Sequence, residues 1–506
     1  MSIAAVLANE QRWHVEVGHV VDGLRKLPDG CIQSVVTSPP YWNLRSYLPS
    51  EHPSKSVEIG SEKAPQDFVA SLVRVFRELR RVLRADGTLW LNLGDSFATA
   101  GGKCFNPGGG DSSLGKTRKD AGAHPLDRGN LSDLRQWGVK DGDQMLMPHL
   151  VALAMREDGW FLRSTIIWGK KSPMPESVAG WRWQRCRVKV SGCGTIDGRK
   201  QGEQINRTSA GLARFTGGVD QRPANWSDCP GCDKCRKTGG YVLRRGKWRP
   251  TSAHEYIFLF SKSERYFCDG DAVQEPATYD GHQNSAVRGE FQAKGIPTPG
   301  REPFRAVRQT RNPRSVWMFS SEPERAKHFA TFPSALPRKC LTAATSPAGC
   351  CPACGASYAP VVESERVPTR PGDNTKTAGK NSGMYRSHDP AHANEEYDAE
   401  RLSQDRLEIG NRDPQRHIAV TRVTGYRPTC ACDAGDPVPS LVCDIFSGSG
   451  TTGRVAFDMG LRYIGFELSE EYAAISREKI VRPFKKAATK KQRRPMKSQR
   501  SLWEVV

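Results

Sequence analysis

The chain has no apolar run near the ~20 residues that a membrane-spanning helix requires. Its N-terminus has no basic segment leading into an apolar core, so no signal peptide is expected. Acidic residues are under-represented, with 55 Asp and Glu against 75 Lys and Arg, a net charge of +20 over 506 residues. That imbalance favours an anionic partner, most simply nucleic acid, and without a spanning apolar run no membrane partner is expected. The fifteen cysteines are not in the short secreted context where such a count builds a disulfide framework. Several fall in close pairs, which points to metal sites in a reducing cytosol. The expectation is a cytoplasmic protein of two or more domains that handles nucleic acid.

Two stretches at opposite ends of the chain carry chemistry. An apolar run at 32–36 reads as a short buried strand and is followed by Thr37-Ser38-Pro39-Pro40-Tyr41-Trp42. Two prolines stop a ladder and fix the backbone. A hydroxyl at Ser38 and an aromatic ring at Tyr41 flank them, which suits a rigid strand-end site where a flat group stacks and its polar edge meets Ser38 and exposed carbonyls. Far along the chain, Leu441-Val442-Cys443-Asp444-Ile445-Phe446-Ser447-Gly448-Ser449-Gly450-Thr451-Thr452-Gly453 is an apolar strand entering a glycine turn and a helix. On its own this spacing also fits a dinucleotide fingerprint, and Glu467, at the end of the next strand, suits ribose hydroxyls of either cofactor. Only about fifty residues follow the glycines, too few to complete a nucleotide-binding sheet. The missing strands must come from residues 1–170, whereas a dehydrogenase would place its glycines early.

Taken together the two stretches resemble the amino-methylating DNA methyltransferases whose catalytic motif precedes their cofactor motif. The wording Ser38-Pro39-Pro40-Tyr41 is most similar to the N4-cytosine branch; the N6-adenine branch more often has an acidic residue or Asn at the first position. The resemblance covers roughly 12–97, 143–181, 249–268 and 316–480. It implies a doubly wound, Rossmann-like α/β sheet assembled from N- and C-terminal segments, with zinc-binding insertions. It also implies double-stranded DNA as substrate, S-adenosylmethionine as methyl donor, a bacterial or phage origin, and room for a cognate restriction enzyme. Asp444 and Phe446 would shape the cofactor turn, Gly448 and Gly450 would let the backbone approach the donor, and Thr451 would join them. Glu467 would accept from the ribose hydroxyls. The segment with His328 and Thr331 would pack beside the donor's methionine end. The family usually has Gly-Asp where this chain has Gly18-His19, so an adenine contact is not carried over to His19. Ser38 and the Pro39 carbonyl would hold the amine hydrogens out of the base plane, and Tyr41 would stack on a flipped base. Ring-carbon methylation would need a Pro-Cys nucleophile, and no Pro-Cys dipeptide occurs. The rivals are N6-adenine methylation at the same site and a zinc-containing DNA-binding protein with an inactive core.

The chain then divides as follows. Residues 1–181 form the N-terminal part of the catalytic domain, including an amphipathic helix at 68–83, an Asp86-Gly87 turn, a strand at 88–93, and Asp95 as a further site candidate or helix cap. Residues 182–248 form a Cys-rich insertion. Its Cys229-Pro-Gly-Cys232 knuckle and Cys235 can hold zinc with Cys186 or Cys193 as fourth ligand, Cys186 being preferred. Residues 249–315 bring back a sheet strand and then a target-recognition region with six candidate arginines (288, 301, 305, 308, 311 and 314). Residues 316–349 lead into the cofactor half. Residues 350–436 form a second insertion, where Cys351-Pro-Ala-Cys354 and Cys430-Ala-Cys432 make a closed structural zinc site across a flexible loop; closure over that length costs only a few kcal/mol. Residues 437–481 complete the cofactor-binding part, and 482–506 form a basic tail able to attract phosphate. A P-loop-like pattern at 110–117 lacks the strand before it and the helix after it, so it is read as chance.

Overall fold

The computed structural model describes residues 2–44, 46–49, 51–99, 103–105, 134–140, 142–173, 180–189, 226–276, 310–320, 322, 332–368 and 417–484. His328, Thr331, Cys193, the 110–117 pattern, four of the six recognition arginines and nearly all of the basic tail lie outside these residues.

The elements that build the centre are α1 (Ile3–Leu7), β1 (Trp13–Val17), α2 (Val20–Arg25), β2 (Ile32–Thr37), α3 (Pro65–Val82), β3 (Leu83–Leu93), α4 (Met147–Glu157), β4 (Phe161–Lys170), β5 (His254–Ser261), β6 (Val316–Phe319), α5 (Ala335–Ala344), β7 (Leu441–Asp444), α6 (Thr451–Asp458), β8 (Arg462–Glu467) and α7 (Glu470–Val481). The eight strands form one mixed sheet in the order β1-β8-β7-β2-β3-β5-β4-β6. Only β5 runs against its neighbours. Alternation along each strand feeds two cores. Leu89, Leu91, Phe258 and Phe260 face α3 and α4, whose stripe of Phe68, Leu72, Phe76 and Met155 covers them. Trp90, Ile257, Leu259 and Val442 face the other way, onto Leu336, Leu341, Val455 and Ile480 of α5, α6 and α7. Helices on both faces of a largely parallel sheet make this a doubly wound α/β fold.

The two ends of the chain are joined at the centre of the sheet. β7 lies between β8 and β2, and β1 pairs with β8 from Trp13↔Tyr463 to Val17↔Glu467. Gln33 Oε1 accepts from the Leu441 amide at 2.6 Å, and Thr452 Oγ1 donates to the Val36 carbonyl at 3.2 Å. β4 and β5, separated by the first Cys-rich insertion, pair antiparallel from His254↔Gly169 to Ser261↔Phe161.

One local expectation is overturned. Asp86-Gly87 does not turn the chain; β3 runs through it as one strand, with an irregular register against β2 between Ile32 and Ser34. The extra residues keep their backbone groups satisfied from the segment after β5. Ser263 Oγ donates to the Ala85 carbonyl at 2.6 Å, the Phe267 amide to the Asp86 carbonyl at 2.9 Å, and Lys262 Nζ to the Leu83 carbonyl at 2.7 Å. With the Leu83, Ala85 and Asp86 carbonyls paired, the bulge costs little, so the turn signal loses to the ladder.

Outside the sheet stand two-stranded ribbons, among them Trp181–Arg185 with Tyr241–Arg245 and Tyr358–Pro368 with His417–Pro428. Among the described residues, no helix is long and apolar enough to cross a membrane.

Candidate active site

In an open sheet, ligands bind beyond the carboxyl ends of the parallel strands. Here that edge carries a cleft of about 530 Å³. Gly18 after β1, Ser38–Tyr41 after β2, Asn92 from β3 with Gly94 and Asp95 just beyond it, Lys170 from β4, Asp444 at the end of β7 with the residues to Ser449, and Glu467 from β8 all line it. The antiparallel β5 contributes its opposite end, His254 and Glu255. Both motifs, some four hundred residues apart in sequence, therefore face one another across a single space.

The Tyr41 ring is fixed from three sides. It lies against Gly94, where a Cβ would come within 2.7 Å of ring atom Cε2. Its Oη donates to Glu255 Oε2 at 2.6 Å, and Ser38 Oγ donates to that Oη at 3.5 Å. Burial, and then the Glu255 carboxylate, push the phenol well above its ordinary pKa, so it stays a donor. Glu255 is held in turn by Lys170 Nζ at 2.5 Å and Asn92 Nδ2 at 3.2 Å. Glu255 and Lys170 were not singled out in the sequence. The signal available was a charged residue at the end of an apolar strand run, with 83 residues between the two ends that meet.

On the other wall, Asp444 accepts from Thr37 Oγ1 at 2.6 Å and from the Phe446 amide at 3.1 Å, and burial raises its pKa to about 6. Glu467 accepts from the Gly448 and Ser469 amides at 2.7 and 3.0 Å, and burial raises it to about 7. Thr451 lines the cleft and, with Ser449, accepts from Lys479 Nζ at 3.0 Å. Gly450 does not line the cleft. With φ +81 it starts α6, and a Cβ there would lie 2.9 Å from Ser476 Cα, so its place is close helix packing. Phe446, Phe466, Tyr47 and Tyr472 add aromatic surface, Tyr47 and Tyr472 meeting edge-on at 5.9 Å. Asp95 accepts from the Leu146 and Met147 amides at 3.1 and 3.0 Å, capping α4 where the helix has no cap of its own.

The charge of the lining discriminates between cofactors. It contains six carboxyl groups (Glu58, Asp95, Glu255, Glu322, Asp444, Glu467) and one lysine, Lys170. In a chain of net charge +20, that wall suits a sulfonium cation and opposes a pyrophosphate. The residues present therefore fit S-adenosylmethionine.

The cysteines gather as two four-thiol clusters, Cys186 with Cys229, Cys232 and Cys235, and Cys351 with Cys354, Cys430 and Cys432. Within each, all sulfurs lie within 4.8 Å of one another. Four sulfurs at ~2.3 Å from one zinc would stand ~3.8 Å apart; Cys232 Sγ is 3.7 Å from both Cys186 and Cys235 Sγ. Backbone N–H groups of Gly231 and Cys232 lower Cys229 to about 6, and those of Cys354 and Ala353 lower Cys351 to about 7, while burial raises Cys186 and Cys235 and the neighbouring thiols raise Cys432 to about 12.

Comparison with known proteins agrees with the geometry. The family model described as DNA methylase, of the N6/N4 type, matches residues 32–351 and 435–478. The Type II methyltransferase M.XycI of Xanthomonas campestris pv. cyanopsidis is 30% identical over 330 residues, 65% of this chain and 72% of its own. M.SfiI of Streptomyces fimbriatus, also a Type II methyltransferase, is 40% identical over 163 residues, 32% of this chain and 31% of its own. Among solved structures, PvuII DNA methyltransferase (cytosine-N4-specific) aligns over 93% of this chain and 87% of its own at 13% identity and a TM-score of 0.38. The chain belongs to the N6/N4 DNA methylase family and is an amino-methylating, S-adenosylmethionine-dependent DNA methyltransferase.

Proposed function

We propose that the protein methylates the exocyclic N4 amine of cytosine in duplex DNA, at a specific site and by base flipping. The observation that carries this reading is the single cleft in which Ser38-Pro39-Pro40-Tyr41 faces the Asp444–Thr451 turn. S-adenosylmethionine supplies an electrophilic methyl carbon when bound. Asp444, Phe446, Gly448, Thr451 and Glu467 would hold it, with Glu467 toward the ribose. Gly450 would act by packing the turn.

An exocyclic amine donates its lone pair into the ring and is a poor nucleophile until its hydrogens are held out of plane. Ser38 Oγ and the Pro39 carbonyl are acceptors at the rigid strand end and would perform that task. Tyr41 would stack on the flipped base, and the Glu255–Lys170–Asn92 network would hold the ring in place. S-adenosylmethionine held there would supply the methyl group, the amine nitrogen would take it with departure of the thioether, and the proton that the nitrogen sheds would pass to solvent. Much of the rate would come from positioning. N6-adenine methylation is the rival, because the matching family model spans both base types. Serine at position 38, resembling the N4 branch, supports cytosine.

The two cysteine clusters are proposed as closed structural zinc sites, since protein sulfurs fill all four positions. The Type II names of the relatives support pairing with a cognate restriction enzyme. The test is incubation of the protein with mixed-sequence duplex DNA and methyl-labelled S-adenosylmethionine, then digestion to nucleosides and identification of the labelled species by mass. Label on N4-methylcytosine is expected. Label on N6-methyladenine would overturn the base assignment, and cofactor binding without label in any nucleoside would overturn the activity in favour of a DNA-binding protein with an inactive core.

A further inference from the structure

The first cysteine cluster closes the far end of an arm rooted at the mouth of the cleft. β4 ends at Lys170 and β5 begins at His254; Ser172, Pro173 and Ser252 between them line the cleft. The chain leaves there, and the strands Trp181–Arg185 and Tyr241–Arg245 pair antiparallel. At the base Gly180 and Lys247 are bonded, N to O, at 3.1 Å, and Arg249 lies 3.6 Å over the Phe97 ring. At the tip the Cys186 amide donates to the Gly240 carbonyl and the Cys229 amide to the Cys186 carbonyl, each at 2.8 Å.

The surface of this arm is unusual. The register Trp181↔Arg245, Trp183↔Leu243 and Arg185↔Tyr241 puts these six side chains on one face. Trp181 is 67% exposed and Trp183 56%, and Trp248 beside the base is 72% exposed. Open indoles clustered on one element mark a contact surface, because scattered ones would carry no such pattern. Arg245 stacks over Trp181 at 5.0 Å and Arg185 over Tyr241 at 5.6 Å. Across 180–189 and 226–250 the arm has eleven lysines and arginines against two aspartates, so even four zinc-bound thiolates leave it strongly positive.

We propose that this aromatic–cationic face docks on duplex DNA flanking the flipped base, the arginines on phosphates and Trp181 and Trp183 against sugars and bases. The proposal rests on the duplex substrate of the reading above. Charge selects the occupant: a protein partner needs no such excess, whereas the DNA backbone does. Location agrees, since a base inside the cleft brings its neighbouring nucleotides to the root of the arm.

The test uses the full-length zinc-loaded protein and fluorescence anisotropy with a labelled mixed-sequence duplex over a range of salt. The double variant Trp181→Ala/Trp183→Ala should weaken duplex binding about tenfold. Arg185→Ala/Arg245→Ala should weaken it and flatten the salt dependence by about two phosphate contacts. Zinc content and calorimetric cofactor affinity should stay at wild-type values in both, showing that the fold is intact. Wild-type affinity and salt slope in both variants would overturn the proposal, as would failure of the wild-type protein to bind the duplex at low salt. Binding is read without methyl transfer, so a wrong base assignment leaves this result standing, and loss of the arm's role leaves the identity of the methylated base standing.

Discussion

The cleft and the cysteine arms differ in what fixes them. β2 is buried along its whole length, and the cleft residues after it hang from strands packed on both faces. In the first arm, four of five residues of Trp181–Arg185 are exposed, and among the described residues Cys235 is the one fully buried side chain near its tip. The second arm docks by polar contacts, Gln33 Nε2 to the Gly355 carbonyl at 2.8 Å and Arg84 to the Cys354 carbonyl, with Cys350 pairing Val438. Apolar burial can hold a site to fractions of an ångström without help; a surface ribbon with no core of its own needs a staple. The cleft should therefore answer to side-chain substitutions at its wall, and the arms to their sulfurs.

The largest effect is expected of Tyr41→Ala. Methylation should fall by at least about 10²-fold while cofactor affinity changes less than about twofold, because the ring positions the base. Single-turnover methylation and calorimetry read the two separately, and equal losses in both would remove the stacking role. Next in size is Cys351→Ser. One zinc equivalent should disappear on metal analysis and the melting temperature should drop by about 5 °C or more; full metal content with unchanged melting would remove that site. For the first cluster, Cys232→Ser should lose its zinc and weaken duplex binding while cofactor affinity holds.

Glu255→Gln tests the network that holds the Tyr41 ring. The amide keeps an acceptor for the phenol but loses the charge that Lys170 meets, so kcat should fall about tenfold with little change in the cofactor's KM. Glu255→Asp should recover less than half of that loss, since the shorter chain pulls away from Tyr41. Wild-type kcat in the glutamine variant would deny Glu255 a positioning role.

The smallest expected effect is the pH dependence from Glu467. Its folded pKa is raised, from 4.5 to about 7. The cofactor-free protein thus has the full stability contribution of this group below about 4.5 and loses it as pH rises through about 7. A ribose hydroxyl donates better to the ionised form, so donor affinity should weaken as pH falls through about 7, by less than tenfold per pH unit. A flat profile from pH 6 to 8 would argue against a ribose contact.

The parts of this design that were legible in the sequence are those carried by local chemistry. The run at 32–36, the glycine turn after Asp444 and the paired cysteines each announce themselves through period, φ or spacing. Cys186 stands beside Cys229, Cys232 and Cys235, while Cys193 lies outside the described residues. What was not legible depends on the chain meeting itself. Lys170 and Glu255 form an ion pair only because β4 and β5 return to each other across the arm. The Asp86-Gly87 turn fails because Ser263 and Phe267, far along the chain, satisfy its carbonyls. Gly450 reads as a cofactor residue by motif, but the structure packs it on Ser476.

A crystal structure with S-adenosylhomocysteine, the methyl donor's product, should show the ribose hydroxyls on Glu467, the adenosine between the Phe446–Ser449 turn and the Tyr47–Tyr472 wall, and the sulfur turned toward Ser38 and Tyr41. A ligand bound away from Glu467, or with its sulfur screened from Ser38 by the turn, would contradict the claim that one cleft, built from the two ends of the chain, holds donor and target together.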